Sequence, residues 1–437
     1  MKLLSRIGDY LLYFILLWCV FSFKVLLWGV GEAGLRVDDL LIVLAFALLI
    51  VRGDLFRIPR SGALRVYLVF ILINLCSTVW NAGMGRVPFV YSTLFSIRLV
   101  QYLVFYYIGY ALMESGVNVW RGLRVYLYVL CVVVPLQMAY IIPGVNRFGS
   151  GRGSGNTNGP YELATVAAFF LCYFAFQRRK WLGAAASLAI LLLTVSRITI
   201  VGTILSFAWR LLRQRRAKLN LLVLGPVTMV ATIAIGMVLL MPIWGGNAPA
   251  TSGSVEYASK DSLSTRFQSA LTLLKFDDAH ALLDAAPVYS TAQDYFDGAF
   301  LDATVFGRLS DLDSSGVIRS YRWATLIKST ANSFDSILIG MGPSFGSAAV
   351  DGYFVRVFVE SGVVGLTCFF LFLRALMKRK VEAFGAFPAF VVILMVTACF
   401  IDIFTSYKTM ILLWLWHGMN EYQARQRSDA NSLPDAG

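Results

Sequence analysis

The stretch QRRKWLGAAASLAILLLTVSRITIVGTILSFAWRLLRQRR, residues 177–216, decides how the chain is organised. Both ends are strongly basic, and Arg197 is the one charged residue between them. Basic segments beside apolar runs stay on the cytoplasmic side of a membrane, so residues 181–209 are predicted to cross it twice. Two helices of about 14 residues reach only ~21 Å each, against a hydrocarbon core of ~30 Å.

The tip of this short hairpin is predicted at Val195, Ser196 and Arg197, below the outer surface. A charged side chain at the bilayer centre costs roughly 2.5–3.5 kcal/mol on insertion scales. Arg197 is therefore expected to face protein or a water-filled funnel in the outer leaflet. The alternatives are one long tilted helix that breaks the charge rule, or an arginine that only extends to the interface.

The composition extends this interpretation to the whole chain. Of 437 residues, 58% are hydrophobic and only 14% are charged, which excludes an ordinary soluble domain. We predict an all-α polytopic membrane protein with about twelve transmembrane helices. The predicted spans are 9–29, 37–51, 65–82, 88–112, 122–142, 161–177, 181–195, 198–210, 219–243, 352–373, 384–401 and 408–420.

The distribution of basic residues predicts the orientation. The net charge of +13 comes largely from short loops of one parity, so it indicates cytoplasmic loops and no nucleic-acid partner. Both termini are then cytoplasmic, and the basic-then-apolar start is a retained first span, since it lacks a small-residue cleavage site. The predicted regions are helices 1–9 in residues 1–243, a large outer loop domain in 244–351, helices 10–12 in 352–421 and a cytoplasmic tail in 422–437.

Two outer segments carry candidate binding residues. The loop VNRFGSGRGSGNTNGPYELA, residues 145–164, combines Arg152 with glycines whose backbone N–H groups can form an anion nest. In the second segment, Arg319 and Arg322 share one helix face, and paired guanidinium forks suit a phosphate or diphosphate. The alternatives are a flexible connector for the first segment and a solvated helix face for the second.

Acidic residues offer weaker signals. Asp311-Leu312-Asp313 resembles the DxD that holds a metal in many sugar-nucleotide enzymes, but such triplets are common by chance, and no metal site is predicted. Asp38 and Asp39 are interpreted as helix capping in preference to catalysis. No ATP-binding motif is present in the sequence, and no cofactor is predicted.

Three stretches together resemble the family of O-antigen polymerases and O-antigen ligases. They are GRGSGNTNGPYELA (151–164), LLLTVSRITIVG (191–202), and the outer loop ending in RSYRWATLIK (319–328), GMGPSFG (340–346) and DGYFVRVFVESGVVGL (351–366). The resemblance implies a C-type membrane glycosyltransferase fold in a bacterial inner membrane. It also implies an inverting, metal-independent enzyme that uses undecaprenyl-diphosphate-linked saccharide at the periplasmic face, with a flippase and a chain-length regulator as possible partners.

The resemblance also suggests roles for residues. Those expected to bind the diphosphate are Arg152, Arg197, Arg319 and Arg322. Ligases of the family carry a histidine at the start of the span after the large loop, where this chain has Asp351. The absence of that histidine favours a polymerase and makes Asp351 the candidate base. Glu360 is the second candidate. The alternative role for Asp351 is a helix N-cap. The candidates for sugar contacts are Asn156, Asn158 and Tyr353.

Two other functions remain open. An O-antigen ligase would move the finished glycan to lipid A core or to protein, and it differs from a polymerase only in its acceptor. A transporter or flippase of lipid-linked saccharide would share the arginines but would not need so large an outer loop.

Overall fold

The fold is known from a computed structural model, which describes residues 2–23, 26–28, 35–139, 141–142, 152–178, 180–213, 286–299, 314–346, 350–378 and 386–431. These residues are mostly helical. The helices are α1 (Lys2–Phe21), α2 (Val37–Val51), α3 (Asp54–Arg57), α4 (Gly62–Gly83), α5 (Phe89–Glu114), α6 (Val119–Met138), α7 (Pro160–Cys172), α8 (Trp181–Leu193), α9 (Arg197–Arg213), α10 (Ala292–Ala299), α11 (Ser314–Ala331), α12 (Phe334–Ile339), α13 (Tyr353–Met377), α14 (Ala386–Ala398) and α15 (Tyr407–Asn431).

Short irregular elements complete the described fold. A π-helical turn (Tyr173–Arg178) extends α7, and a 3-10 turn (Ile403–Thr405) joins α14 to α15. Strands β1 (Leu26–Trp28) and β2 (Leu35–Arg36) pair antiparallel just before α2. Asp39 caps that helix, because its carboxylate accepts the backbone N–H of Arg36 at 2.8 Å. The capping interpretation therefore agrees with the structure for Asp39, whereas Asp38 accepts a hydrogen bond from the hydroxyl of Ser22 at 2.9 Å.

Four of the described helices, α4, α5, α6 and α13, are long and apolar enough to cross a membrane. Their length and composition indicate an α-helical membrane protein. Every predicted span except one coincides with a helix; the exception, 219–243, lies outside the described residues. The first helix differs in its bounds, since it ends at Phe21 where the prediction ended at residue 29. Most of the predicted loop domain, with Asp311 and Asp313, also lies outside the described residues.

The turn between α8 and α9 falls at residues 194–196, so both helices are separate and short. Both helices contact α7; α8 also packs against α6, while α9 packs mainly against α14. Val195 stands at the turn with φ of 52°, a left-handed conformation that is unusual for a β-branched residue. The reversal of the chain is therefore sharp and is held by contacts with other elements.

The centre of the bundle is the contact between α5 and α15. Their backbones approach so closely that side chains at Gly109 and Gly418 would strike the backbone of Leu415 and Tyr106. Small residues at helix contacts permit this close packing within membranes. Large buried aromatic side chains fill the space around the pair, among them Trp414 and Trp416.

An outer layer lies over one end of this bundle. A second apolar cluster joins α10 and α11 to residues 341–346, to Val350 and to α13, through residues such as Tyr295, Leu326 and Phe345. Helix α13 breaks at Gly362, whose φ of 65° is left-handed. The hydroxyl of Ser77 in α4 donates to the carbonyls of Ile339 and Glu360 at this break, which ties the outer layer to the bundle.

Candidate functional site

Arg152 holds the turn between α8 and α9. Its Nε donates to the carbonyl of Thr194 at 3.0 Å, and its Nη2 lies 3.3 Å from the carbonyl of Val195. The backbone N–H of Gly153 donates to the carbonyl of Leu193 at 3.1 Å. The glycine-rich segment and the hairpin tip, distant in sequence, are therefore one unit.

Tyr161 brings two arginines together. The guanidinium of Arg152 lies over its ring, 4.9 Å from the centroid. The guanidinium groups of Arg152 and Arg319 both lie close enough to the Tyr161 phenol to interact with it electrostatically. Arg319 comes from α11, so separate segments converge on one side chain.

Asp351 completes this group. Its Oδ2 lies 3.5 Å from Nε of Arg319, and the two side chains are 35% and 21% exposed. The pair is loose and accessible to water, in contrast to a buried ion pair. We call Arg152, Tyr161, Arg319 and Asp351 the arginine cluster; it carries two cations and one carboxylate.

The backbone of Asp351 is held by a different carboxylate. Asp402 accepts the N–H groups of Val350, Asp351 and Gly352 at 3.0, 3.1 and 3.3 Å. Asp351 has φ of 57°, and successive N–H groups around a left-handed residue form an anion nest. The carboxylate at the entry to α13 is thus that of Asp402. The side chain of Asp351 points to Arg319 and does not serve as the N-cap.

Glu360 belongs to a buried ion group beneath this nest. Arg356 donates to Asp402 at 2.9 Å and to Glu360 at 3.3 Å, and its side chain is 2% exposed. Glu360 also accepts the backbone N–H of Ser344 at 3.3 Å. Glu360 is therefore engaged inside the protein, whereas Asp351 is accessible. Of the two predicted bases, the geometry favours Asp351.

Arg322 lies on the same helix as Arg319 and acts electrostatically on Tyr295, as do Arg356 and Asp351. Burial raises the pKa of Tyr295 to about 12, so this phenol stays neutral at physiological pH. Arg197 is the first residue of α9, partly buried, and follows directly on the turn that Arg152 binds. Arg152 and Arg197 therefore lie beside the same turn, and Arg319 and Arg322 lie on α11.

Asn156 has a structural position. Its carbonyl oxygen accepts from the hydroxyl of Tyr126 at 2.7 Å, and its amide donates to the carbonyls of Val20 and Phe21 at 3.2 and 2.6 Å. Tyr353 is buried against Phe369 and Phe404, in the apolar core. Both side chains have contacts inside the protein, and their roles in sugar binding stay predictions. Asn158, in contrast, is exposed.

Lys408, at the start of α15, is 1% exposed. Its ammonium donates to the carbonyls of Ser22 and Asn156 at 2.9 and 2.8 Å. Its backbone N–H donates to Glu162 at 2.7 Å, and the other oxygen of Glu162 accepts from the N–H of Asn158 at 2.8 Å. We call Ser22, Asn156, Glu162 and Lys408 the Lys408 network. It fixes the first turn of α7, and with it the position of Tyr161.

Sequence reasoning missed several of these residues. Arg356, Asp402 and Lys408 are charged residues within or between apolar segments, the same signal that identified Arg197. Tyr161 gave no signal of its own, since a tyrosine at a membrane boundary is ordinary. Its importance follows only from the contacts with two arginines.

Comparison with known proteins gives no further assignment. No protein-family model matches the chain, and no curated protein matches it. The resemblance to O-antigen polymerases and ligases therefore stays a prediction carried by the motifs.

Proposed function

We propose that the protein is a membrane glycosyltransferase that polymerises undecaprenyl-diphosphate-linked oligosaccharide repeats at the outer face of a bacterial inner membrane. The observation that carries the proposal is the convergence of Arg152 and Arg319, from separate segments, on Tyr161. Two guanidinium groups with one accessible carboxylate form a site suited to a diphosphate beside an acid or base. Twelve spans with both termini cytoplasmic belong to the same proposal.

The reaction assigns complementary roles to the cluster. An acceptor sugar hydroxyl attacks the anomeric carbon of the donor, and the bond from that carbon to the diphosphate breaks. Negative charge grows on the departing diphosphate, where guanidinium groups already in position stabilise it. The carboxylate of Asp351 takes the proton of the attacking hydroxyl. Attack from the face opposite the leaving group inverts the anomeric centre.

Asp351→Asn tests the role of the base. The substitution removes the proton acceptor but retains the shape and the backbone contacts with Asp402. We expect turnover to fall about 10²- to 10⁴-fold, with donor binding changed much less. Rates are measured with purified enzyme in liposomes, and binding with the donor alone. Normal turnover with poor binding would reassign Asp351 to donor recognition.

The reaction class is tested by reconstitution. Purified protein in liposomes receives a synthetic undecaprenyl-diphosphate-linked repeat as both donor and acceptor, and products are separated by length. Longer glycans are expected. Transfer only when lipid A core is added would indicate a ligase, and movement of the lipid across the bilayer without bond formation would indicate a transporter.

A further inference from the structure

Tyr161 occupies a rigid position within the arginine cluster. It is the second residue of α7, after Pro160, whose fixed φ suits the first helical position. The neighbouring Glu162 binds the backbone of both Asn158 and Lys408 and so locks this turn to α15. A side chain held on an anchored helix keeps its geometry better than one on a loop. The phenol therefore has a defined direction.

The hydroxyl of Tyr161 has a hydrogen-bond donor that its contacts with the arginines do not use. Guanidinium groups can only donate hydrogen bonds, so toward Arg152 and Arg319 the phenol oxygen acts as acceptor. Its own O–H is then directed to a further acceptor. Donors acting on a hydroxyl polarise it and strengthen the bond that it donates in turn. A phosphate oxygen approaching both guanidinium groups is such an acceptor.

We propose that the Tyr161 hydroxyl is a third ligand of the donor diphosphate, lying between Arg152 and Arg319 and donating a hydrogen bond to an oxygen of the leaving group. This inference rests on the proposed function and deepens it. The bond strengthens as charge develops on the diphosphate, so it contributes more to turnover than to donor binding. Tyr161 keeps its proton throughout, since the acceptor's proton goes to Asp351.

Tyr161→Phe separates this role from a structural one. The phenyl ring is retained, and with it the surface on which Arg152 lies. Only the hydroxyl is lost. A hydrogen bond to a charged group is worth ~1.5–3 kcal/mol, so we expect turnover to fall roughly tenfold to a hundredfold. The matched control is Tyr91→Phe, near the start of α5, where the tyrosine is 46% exposed.

The experiment measures elongation kinetics and the binding of two probes, undecaprenyl diphosphate and undecaprenyl monophosphate, in nanodiscs. We expect Tyr161→Phe to lower kcat more than it raises KM, and to weaken the preference for diphosphate over monophosphate. Tyr91→Phe is expected to behave as wild type. If Tyr161→Phe matches wild type in rate and preference while wild type elongates, the inference is wrong and the proposed function stands.

Two further results complete the test. If wild-type protein neither binds undecaprenyl diphosphate nor elongates glycans, the proposed function fails and the role of Tyr161 fails with it. If the variant does not fold, an experimental structure of wild type with undecaprenyl diphosphate decides. The inference predicts the phenol oxygen within ~3.2 Å of a phosphate oxygen, a normal hydrogen-bond distance; a phenol turned away from the phosphates would overturn it.

Discussion

Adjacent residues of α7 belong to two charge groups with opposite character. Tyr161 belongs to the arginine cluster, where the Arg319–Asp351 pair is 3.5 Å apart and partly exposed. Glu162 belongs to the Lys408 network, where hydrogen bonds donated by Lys408 are 2.7 to 2.9 Å long and the lysine is buried. A buried charge is tolerated only when it is paired and hydrogen-bonded. The Lys408 network meets that condition within the protein.

The arginine cluster does not follow this pattern. It places two cations and one carboxylate at an accessible position, with a loose ion pair. Such an excess of positive charge is expensive in a low-dielectric surrounding unless an anion joins it. The difference separates a group whose short hydrogen bonds lie within the protein from one whose charges are loose and partly exposed, and the second is the arrangement that the proposed diphosphate site requires.

The largest effect is expected from Lys408→Met. The substitution keeps the volume but leaves the carbonyls of Ser22 and Asn156 without the ammonium. Leaving a buried carbonyl without its donor costs ~1–3 kcal/mol, and two carbonyls are affected, so the amount of folded protein in the membrane should fall sharply. Size-exclusion chromatography of detergent extracts measures it. Lys378→Met, at an exposed position, is the control. If Lys408→Met is well folded and fully active, the structural role of the Lys408 network is wrong.

Arg319→Ala is expected to do the reverse of Lys408→Met: it should lower the rate of elongation strongly and leave folding nearly unchanged. Removing one preorganised donor to a developing charge costs about 10²- to 10³-fold in rate. Folding should be nearly unchanged, because the contact with Asp351 is long and partly solvated. Elongation and membrane abundance are measured together, with the exposed Arg121→Ala as control. Arg197→Ala is expected to behave likewise. Wild-type rates in both variants would exclude stabilisation of the leaving group by these residues.

Val195→Gly tests the strained turn that Arg152 binds. A non-glycine residue in the left-handed region costs of order 1–3 kcal/mol, and glycine loses more chain entropy on folding by about 0.5–1 kcal/mol. The net expectation is a stabilisation of about 1 kcal/mol, visible as a small rise in melting temperature. Val195→Ala retains the Cβ and should give no such gain. A melting temperature lowered by the glycine would mean that the valine side chain contributes more than the strain costs.

The smallest effect concerns pH. Hydrogen bonds from Ser333 and Arg86 lower the pKa of Asp335 below its ordinary 3.8. Because the folded-state pKa is lowered, this stabilisation is present above pH ~4 and is lost as the pH falls below it. The ion pair with Arg86 is 2.7 Å long but partly exposed, so its contribution is below about 1 kcal/mol.

Asp335→Asn measures that contribution. Wild type should be more stable to heat than the variant at pH 7, where only wild type has the charged pair, and the difference should shrink progressively as the pH falls below about 4 toward the lowered pKa of the folded state. An equal difference at all pH values would indicate that the carboxylate acts through shape and not through charge.

The sequence predicted the apolar helices and the residue types near the arginine cluster, but not how those residues associate. The length of an apolar run and its basic flanks are local signals, so the turn at residues 194–196 and helices such as α4 and α5 could be predicted from them. Arg152, Arg319 and Asp351 were identified by residue type. Their association was not, because the contact through Tyr161 joins segments that are far apart in the chain.

The predicted sugar contacts illustrate the same point. Asn156 was assigned to sugar binding because asparagine in a glycine-rich loop suits that role, yet its amide is used by Tyr126 and by the end of α1. Tyr353 was chosen for its place after Asp351, and helix packing turns it into the aromatic core. Local sequence gives residue chemistry, whereas the available hydrogen-bonding capacity depends on tertiary neighbours.

The most direct test of the central claim is the stoichiometry of product formation in liposomes. Glycosidic bonds formed and undecaprenyl diphosphate released are counted in the same reaction. If the arginine cluster stabilises a departing diphosphate, wild type releases one molecule for each bond, and Arg319→Ala loses both products in parallel. Bond formation without release of the lipid diphosphate, or unchanged release by Arg319→Ala, would contradict the claim.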